Sequence, residues 1–465
     1  MYFSKKIYTM KKLIVICTLL VIFACKQEEE KPTYLVLSGT VENSEAETAM
    51  VRGEDFEVKI PISEEGTFSD TIRLPKNGYY QLFVGRERAT VYLEQGKDMG
   101  VSLDAKLFDE SISYTGAVAE ENNYLAAKYM HNEENVDFQE LYEMDEAAFL
   151  TEAKKQYALA DSLLNVSTIA NTSFKAQEGE ENHYEYVVRV ENYQDYHQYY
   201  TKNPEFKASA SLFEIIKDVD YKDTIAFRNS NGYQNLLTTH FSRIASEAAN
   251  GDKDASSTVA FLKSVNAELP DGYAKNKLML EYLRYGLSAD KHLEEAYEIY
   301  KGSNPSEENL AKISERYNKL KTITPGNASP TFDYENHKGG TTSLRDLSGK
   351  YVYVDVWATW CGPCIREIPS LKLVEADYHN KNIEFVSISI DVAKDHDKWK
   401  KMVSSKELGG IQLIADKDWK SQLVEDYGIL GIPRFILIDP EGKIVSADAP
   451  RPSDPSLRAM LDELI

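Results

Sequence analysis

The stretch that decides the fold of the C-terminal part is Val354–Cys364, which reads VDVWATWCGPC. Its apolar start predicts a buried strand over Tyr351–Val356, and the following residues predict a helix over Cys361–Tyr378. Two cysteines separated by two residues can close a disulfide across the first turn of such a helix. The unpaired N–H groups and partial positive charge of the helix N-terminus favour a thiolate on Cys361, which makes it a nucleophile.

The two cysteines are expected to have different roles in thiol–disulfide exchange. Cys361 attacks a disulfide of the partner, and Cys364, which we expect to be more buried, resolves the mixed disulfide. Pro363 fixes the first helical turn and has no N–H that would be left unpaired. A zinc site is the alternative for paired cysteines, but it needs two more ligands. The sequence offers no second cysteine pair and no HxH or HExxH spacing among its histidines, so we assign no metal.

Charged and aromatic residues near the cysteines are candidates for supporting roles. Asp355 is a carboxylate in an apolar strand, where burial should raise its pKa and let it take a proton from Cys364 and return it. Trp360 is expected at the rim, where it shields Cys361 and offers an apolar contact to a partner. Trp357 is interpreted as a packing residue.

The N-terminal residues predict a targeting segment. Lys11 and Lys12 precede an apolar run, Leu13–Ala24, that is too short for a span of about 20 residues and fits a signal peptide. The run ends in Ile22-Phe23-Ala24-Cys25, which resembles a bacterial lipobox. We therefore predict a lipoprotein signal peptide over 1–24, lipidation of Cys25 and a tether over 25–32. A plain secretory signal is the alternative.

Cysteine usage agrees with this interpretation. Of four cysteines, Cys17 leaves with the signal peptide and Cys25 carries the lipid, so only the Cys361–Cys364 pair remains in the folded protein. We expect the protein in the cell envelope, lipid-anchored to a membrane, with the outer membrane favoured, and facing the periplasm or the cell surface. The formal net charge of −22 argues against nucleic acid as a partner.

Three folded domains follow from the patterning. Period-two apolar runs such as Phe56, Val58 and Ile60 predict an all-β sandwich or barrel over 33–117, built from antiparallel strands. Stripes at helical spacing, such as Leu293, Ala296 and Tyr300, predict an all-α domain over 118–324. Alternating strands and helices predict an α/β domain with a central mixed sheet over 325–465.

The C-terminal domain closely resembles thioredoxin over Val354–Cys364. Its flanks resemble the TlpA/ResA-like envelope thiol-disulfide oxidoreductases still more closely, and the matching residues are Ser343, Leu344, Leu347, Gly349, Lys350, Trp357–Trp360, Glu367 and Pro369. The position of the β-rich segment between a lipoprotein tether and this domain resembles a domain family of unknown function in envelope lipoproteins. The resemblance implies a thioredoxin fold for the C-terminal domain.

The same resemblance implies further site residues. Glu367 would lie near the cysteine pair and affect its acidity, although an exposed helix residue is the alternative. Pro433 would follow a cis peptide bond and lie against the cysteines. The backbone of Ile432 would pair with the substrate chain, and Trp360, Gly362 and Pro363 would contact it as well.

We therefore expect an enzyme, an envelope-anchored thiol-disulfide oxidoreductase that reduces disulfides of extracytoplasmic proteins. It would need no cofactor beyond its redox-active disulfide, and a membrane thiol electron donor would recharge it. The alternative is a surface glycan- or protein-binding lipoprotein with an accessory redox domain. A third hypothesis is redox sensing, in which the disulfide state changes the contact between the last two domains.

Overall fold

The computed structural model describes residues 33–54, 56–249 and 255–465. The predicted signal peptide over 1–24, the lipidated Cys25 and the tether over 25–32 lie outside the described residues. The chain divides into two compact units. Of the described residues, one unit holds those up to Leu141 together with Lys154–Gly179, and the other holds Tyr142–Ala153 together with those from Glu180 to Ile465.

This division differs from the three-domain organisation expected from the sequence. The helical segment does not form a unit of its own, because its first part belongs to the first unit and its larger part belongs to the second. The boundaries at 117/118 and 324/325 stay predictions.

The first unit is built around strands. Its described residues form β1 (Leu35–Glu42), β2 (Thr48–Gly53), β3 (Phe56–Pro61), β4 (Thr67–Ile72), β5 (Gly78–Val84), β6 (Glu87–Leu93), β7 (Met99–Asp104) and β8 (Ser113–Gly116). They pair in two sheets of four strands each among the described residues, with the orders β4-β1-β7-β8 and β3-β2-β5-β6. The two sheets share one hydrophobic core. The predicted period-two alternation is clearest in β5, where every second residue is buried.

One strand pair departs from the expected antiparallel arrangement. β1 and β7 run parallel, with Leu37 opposite Met99 and Glu42 opposite Asp104. A parallel pair needs a long connection, and here the chain builds β2 to β6 between the two strands. Sequence periodicity is the same for both strand directions, so it could not reveal this pairing.

Helices dominate the middle of the chain. The helices between the last strand of the first unit and residue 321 are Ala119–Asn135, Phe138–Glu143, Glu146–Val166, Thr172–Glu191, Tyr193–Thr201, Ala210–Phe213, Thr224–Asn229, Asn231–Ala249, Ser257–Glu268, Tyr273–Gly286, Leu293–Gly302 and Glu307–Lys321. The predicted stripe of Leu293, Ala296 and Tyr300 is buried. No helix in the part of the chain that the structure describes is long and apolar enough to cross a bilayer.

The C-terminal part of the second unit is a mixed sheet with helices packed on it. Its strands are β9 (Asp333–Asn336), β10 (Thr341–Ser343), β11 (Tyr351–Trp357), β12 (Ile383–Ser389), β13 (Ile411–Ile414), β14 (Arg434–Ile438) and β15 (Ile444–Ser446). The order across the sheet is β10-β9-β13-β12-β11-β14-β15. β11, β12 and β13 are parallel to one another, and β14 runs antiparallel to β11.

Central position in the sheet explains why β11 is almost wholly buried. It has a hydrogen-bonded neighbour on each side, and six of its seven residues are buried. The helices of this part are Gly362–Asp377, His396–Ser405, Gln422–Asp426 and Pro455–Leu464, and we refer to the first as the active-site helix. Tyr353 of β11 packs in a core with Leu371 of the active-site helix and Leu457 of the last helix.

Candidate active site

The cysteine pair stands at the start of the active-site helix. Cys361 is the residue that precedes the helix, and Pro363 occupies its first turn. A disulfide joins Cys361 and Cys364. The backbone N–H of Cys364 donates a hydrogen bond to the Cys361 sulfur across 3.1 Å. The first helical turn therefore presents a donor to the sulfur that becomes the thiolate on reduction, which stabilises the charged form.

The expected difference in burial between the cysteines is absent from this oxidised structure. Both residues are 4% exposed. The disulfide holds the Cys361 sulfur against the first turn of the helix, so burial does not distinguish the two cysteines. Their positions differ in another way, because Cys361 precedes the helix and Cys364 lies within its first turn. The assignment of the attacking and resolving roles stays a prediction.

Asp355 faces the active-site helix from β11. It is 9% exposed and lines the same small cavity as Cys364 and Leu371. Burial raises the pKa of Asp355 to about 7, and the negative charges of Glu367 and Glu375 add to this shift. A hydrogen bond from the Ser387 side chain lowers the pKa of Asp355 and so opposes this shift. At neutral pH, close to this pKa, Asp355 is therefore present in both its protonated and its carboxylate form, and it can accept or donate a proton in the cavity that Cys364 also lines.

Glu367 lies on the active-site helix, three residues after Cys364. It is held by the C-terminal loop, because the hydroxyl and the backbone N–H of Ser453 donate to its carboxylate across 2.9 and 3.0 Å. Its side chain is 12% exposed, so the alternative of a freely exposed helix residue is wrong. The charge of Glu367 reaches the site through Asp355, whose pKa it raises.

The loop before β14 lies at the same end of the sheet as the cysteines. The Ile432–Pro433 peptide bond is cis, as the resemblance implies. Arg434, the next residue, pairs with Val356 near the end of β11, and the chain reaches Cys361 five residues after Val356. Ile432 and Pro433 are both partly exposed. The role of Ile432 in pairing with a substrate chain stays a prediction.

The three other residues predicted to contact a substrate chain are accessible. Gly362 and Pro363 are exposed, and Trp360 is 37% exposed. Trp357 is 2% exposed, which agrees with its interpretation as a packing residue. In the described part of the chain, no group of three or more His, Cys, Asp or Glu side chains is placed to hold a metal ion.

Comparison with known proteins identifies the C-terminal region. Residues 325–447 match the model of the AhpC/TSA family. The thiol-disulfide oxidoreductase ResA of Bacillus subtilis (strain 168) is 29% identical over 126 residues, which cover 27% of this chain and 66% of that protein. ResA of Bacillus cereus (strain ATCC 10987 / NRS 248) is 27% identical over 129 residues, which cover 28% of this chain and 72% of that protein. The C-terminal region, residues 325–465, is a ResA-like thiol-disulfide oxidoreductase domain, and we refer to it as the ResA-like domain.

A solved structure is also similar to part of this chain. The crystal structure of the thioredoxin domain of a thiol-disulfide oxidoreductase from Bacteroides vulgatus has 31% sequence identity to this chain. The match covers 31% of this chain and 99% of that one, with a TM-score of 0.28. The matched region is a minority of this chain, and this chain spans 66% of the length of the Bacillus subtilis relative.

Asp391 is a site residue of the ResA-like domain that sequence reasoning missed. It is 2% exposed and follows β12 by two residues. Its carboxylate accepts hydrogen bonds from the backbone N–H and the hydroxyl of Thr359, across 2.9 and 2.7 Å, and from the hydroxyl of Ser389 across 2.7 Å. It thereby fixes the turn that leads into Cys361. An aspartate after a buried strand was the available signal, but it resembles an ordinary loop residue.

Two further residues beside the cysteines were not anticipated. The ring of Trp419 lies 6.4 Å from the ring of Trp360, so the accessible rim of the ResA-like domain carries two indoles. Glu375 lines the cavity that also contains Asp355 and Cys364. Its position follows from helical phase, because Cys364, Ile368, Leu371 and Glu375 are spaced four, three and four residues apart on one face.

Proposed function

We propose that this protein is an envelope-anchored thiol-disulfide oxidoreductase whose reduced form cleaves disulfides of extracytoplasmic proteins. One arrangement carries the proposal: a cysteine pair at a helix N-terminus, with a buried carboxyl whose pKa is raised to about 7 in the cavity beside the second cysteine. The sequence similarity to ResA proteins supports the same chemistry.

The reaction follows from this arrangement. The Cys361 thiolate attacks one sulfur of the partner disulfide, forms a mixed disulfide and releases the first partner thiolate. Cys364 then gives its proton to the Asp355 carboxylate, and its thiolate attacks the Cys361 sulfur. The second partner thiolate leaves as the Cys361–Cys364 disulfide forms. Two electrons have passed from the dithiol to the partner, whose thiolates take up protons from water.

The direction of electron transfer, from this protein to its partner, is inferred from the dipeptide between the cysteines. Gly362-Pro363 is the dipeptide of thioredoxin, which has a potential of about −270 mV, whereas the oxidant DsbA has about −120 mV. A reductase outside the cytoplasm must be recharged, and we propose a membrane thiol electron donor for this step. The features Lys11, Lys12, Leu13–Ala24 and Cys25 support export and lipid anchoring.

The reduction potential of the Cys361–Cys364 couple tests this function. The full-length protein in detergent is equilibrated with dithiothreitol or glutathione buffers, and the dithiol fraction is measured by thiol labelling. We expect a potential near or below about −250 mV. A value above about −180 mV would contradict the reducing direction. If the two cysteines formed no reversible disulfide, the enzymatic role itself would be wrong.

A further inference from the structure

A small cavity connects the active-site helix to the central strands. It has a volume of about 10 Å³ and is lined by residues that include Asp355, Cys364, Leu371, Lys372, Glu375 and Gly409. A space of this size holds about one water molecule. Cys364 and Asp355 exchange a proton in the proposed reaction. This proton has to pass from the cavity to solvent.

Glu375 reaches this cavity from the far end of the helical stripe that begins at Cys364. The chain leaves room for its carboxylate by placing two glycines beside it. A methyl group added at Gly409 would lie 2.1 Å from the Glu375 Oε2 atom, and one added at Gly410 would lie 3.1 Å from the Oε1 atom. A side chain at either position would compete with the carboxylate for this space.

The acidic groups around the cavity influence one another. Burial raises the pKa of Glu375 to about 7, and the Lys372 cation on the same helix opposes this shift. The charge of Glu375 is also one of the causes of the raised pKa of Asp355, after burial and Glu367. Ser387 and Gln412, which face the cavity from β12 and β13, are neutral. Two carboxyls that titrate in the same range and share a cavity behave as a coupled pair.

Asp355 needs such a partner because it has almost no access to solvent. It is 9% exposed, whereas Glu375 is half-buried and is followed on the helix by exposed residues. Each oxidation of the dithiol leaves one proton on Asp355, and each reduction needs one proton back at Cys364. The proton therefore has to cross the protein interior once in every half-cycle.

We propose that Glu375 passes this proton between Asp355 and solvent. The inference rests on the proposed function and deepens it. When Asp355 receives the Cys364 proton, Glu375 in its carboxylate form accepts that proton, directly or through one water molecule, and releases it to bulk water. In reduction the transfer runs in reverse. Glu375 does not touch the sulfurs and acts through Asp355, so it is a positioning residue for the proton rather than a catalytic residue.

The test compares Glu375→Gln with the wild-type full-length protein in single-turnover reduction of a peptide disulfide. Tryptophan fluorescence follows the reaction by stopped flow between pH 5.5 and pH 9 in dilute buffer. We expect the rate of the resolving step at pH 7 to fall by about threefold to tenfold. Removing the neighbouring charge should move the acidic limb of the profile to lower pH by roughly 0.3 to 1 unit.

Buffer rescue distinguishes proton transfer from a structural role. Added imidazole should restore the Glu375→Gln rate towards the wild-type value, and Glu375→Asp should keep most of that rate without imidazole. The matched control is Asp377→Asn, which removes a carboxylate of the same helix that pairs with Arg458 at the surface, 2.7 Å away. This control should leave the rate and the pH profile unchanged.

Each contrary outcome has a definite meaning. A Glu375→Gln protein with the wild-type rate and pH profile would overturn the inference. So would a slow variant that imidazole does not rescue and whose pH profile is unchanged, because that result indicates a structural role. A wild-type protein that reduces no disulfide would overturn the proposed function, and the inference with it. An active wild-type enzyme with an unaffected variant would leave the proposed function in place.

Discussion

Thr359 is bound twice by the carboxylate of Asp391, through its backbone N–H at 2.9 Å and through its hydroxyl at 2.7 Å. All of these groups are buried, and Thr359 stands two residues before Cys361. The position of the Cys361 sulfur thus depends on a side chain that comes from the end of a neighbouring strand. Removing one partner of such a buried set leaves donors without an acceptor, which costs more than the bonds themselves contribute.

The first prediction concerns this contact. Asp391→Ala should lower the free energy of local opening around Thr359 by about 2–4 kcal/mol, since a charged acceptor of several bonds is lost. Hydrogen exchange of the peptide that covers Trp357–Cys364 should therefore speed up by roughly 30-fold or more. Thr359→Val is the matched variant, because it removes only the hydroxyl and should have a smaller effect. Unchanged exchange in Asp391→Ala would show that the turn is held by other contacts.

The second prediction assigns the two sulfurs. Reduced Cys364→Ser protein should form a mixed disulfide with a partner and keep it, because no resolving thiol remains. Reduced Cys361→Ser protein should form no comparable adduct, since the remaining Cys364 thiol lies within the first turn of the helix, whereas Cys361 precedes the helix. Mass spectrometry without reductant measures the adducts. A stable adduct on Cys364 and none on Cys361 would reverse the assignment.

The third prediction concerns stability and pH at Asp355. The folded pKa of about 7 lies above the ordinary value of 3.8. Between these values the unfolded chain loses a proton that the folded domain keeps, so the free energy of unfolding falls as pH rises from about 4 to about 7 and then levels off. Asp355→Asn removes this pH-dependent loss of stability. At pH 8 the free energy of unfolding of the variant should therefore exceed that of the wild type, by an upper limit of roughly 3–5 kcal/mol.

Tryptophan fluorescence measures this effect. All four tryptophans, Trp357, Trp360, Trp399 and Trp419, lie in the ResA-like domain, so their signal follows its unfolding in the intact chain. The variant and the wild-type protein should converge near pH 4, where the carboxyl is protonated in both states. If the difference in the free energy of unfolding between the variant and the wild type did not depend on pH, folding would not raise the pKa of Asp355, and the prediction would be wrong.

The fourth prediction couples Gly409 to Glu375. An alanine at 409 would place its methyl group 2.1 Å from the Glu375 Oε2 atom, so the carboxylate must move. Gly409→Ala should cost about 1 kcal/mol in the wild-type background and almost nothing in Glu375→Ala. Gly410→Ala should be costly in both, because its φ of +58° is unfavourable for alanine and the methyl group would meet the Phe385 carbonyl at 2.6 Å. Equal costs of Gly409→Ala in both backgrounds would contradict the coupling.

Much of the ResA-like domain could be predicted because its signals are local. A long apolar run gave β11, and two cysteines at the start of a helical pattern gave the disulfide and its position. β9, β10 and β13 were missed, since three or four residues are too few to show a period and these strands depend on their neighbours in the sheet. The family model and the ResA relatives confirm the thioredoxin-like fold.

In the candidate site, too, only the residues with a local sequence signal could be predicted. Asp355 could be recognised because a charge in a buried strand is unusual, whereas Asp391 and Glu375 look like ordinary polar residues of a loop and a helix. Their roles come from contacts across the fold, with Thr359 in one case and with Gly409 in the other. Such contacts join residues more than 30 positions apart, and no local pattern records them.

The parallel pairing of β1 has a consequence for the order in which the first unit can fold. β1 is the first described strand, yet it lies inside its sheet, between β4 and β7. Its two partners are made about 30 and 60 residues later, so the emerging chain cannot pair β1 on both sides until Asp104 is available. Contacts of such long range slow folding. A chain that began after Glu42 would lack the strand that joins β4 to β7, and would leave an open edge on each of them.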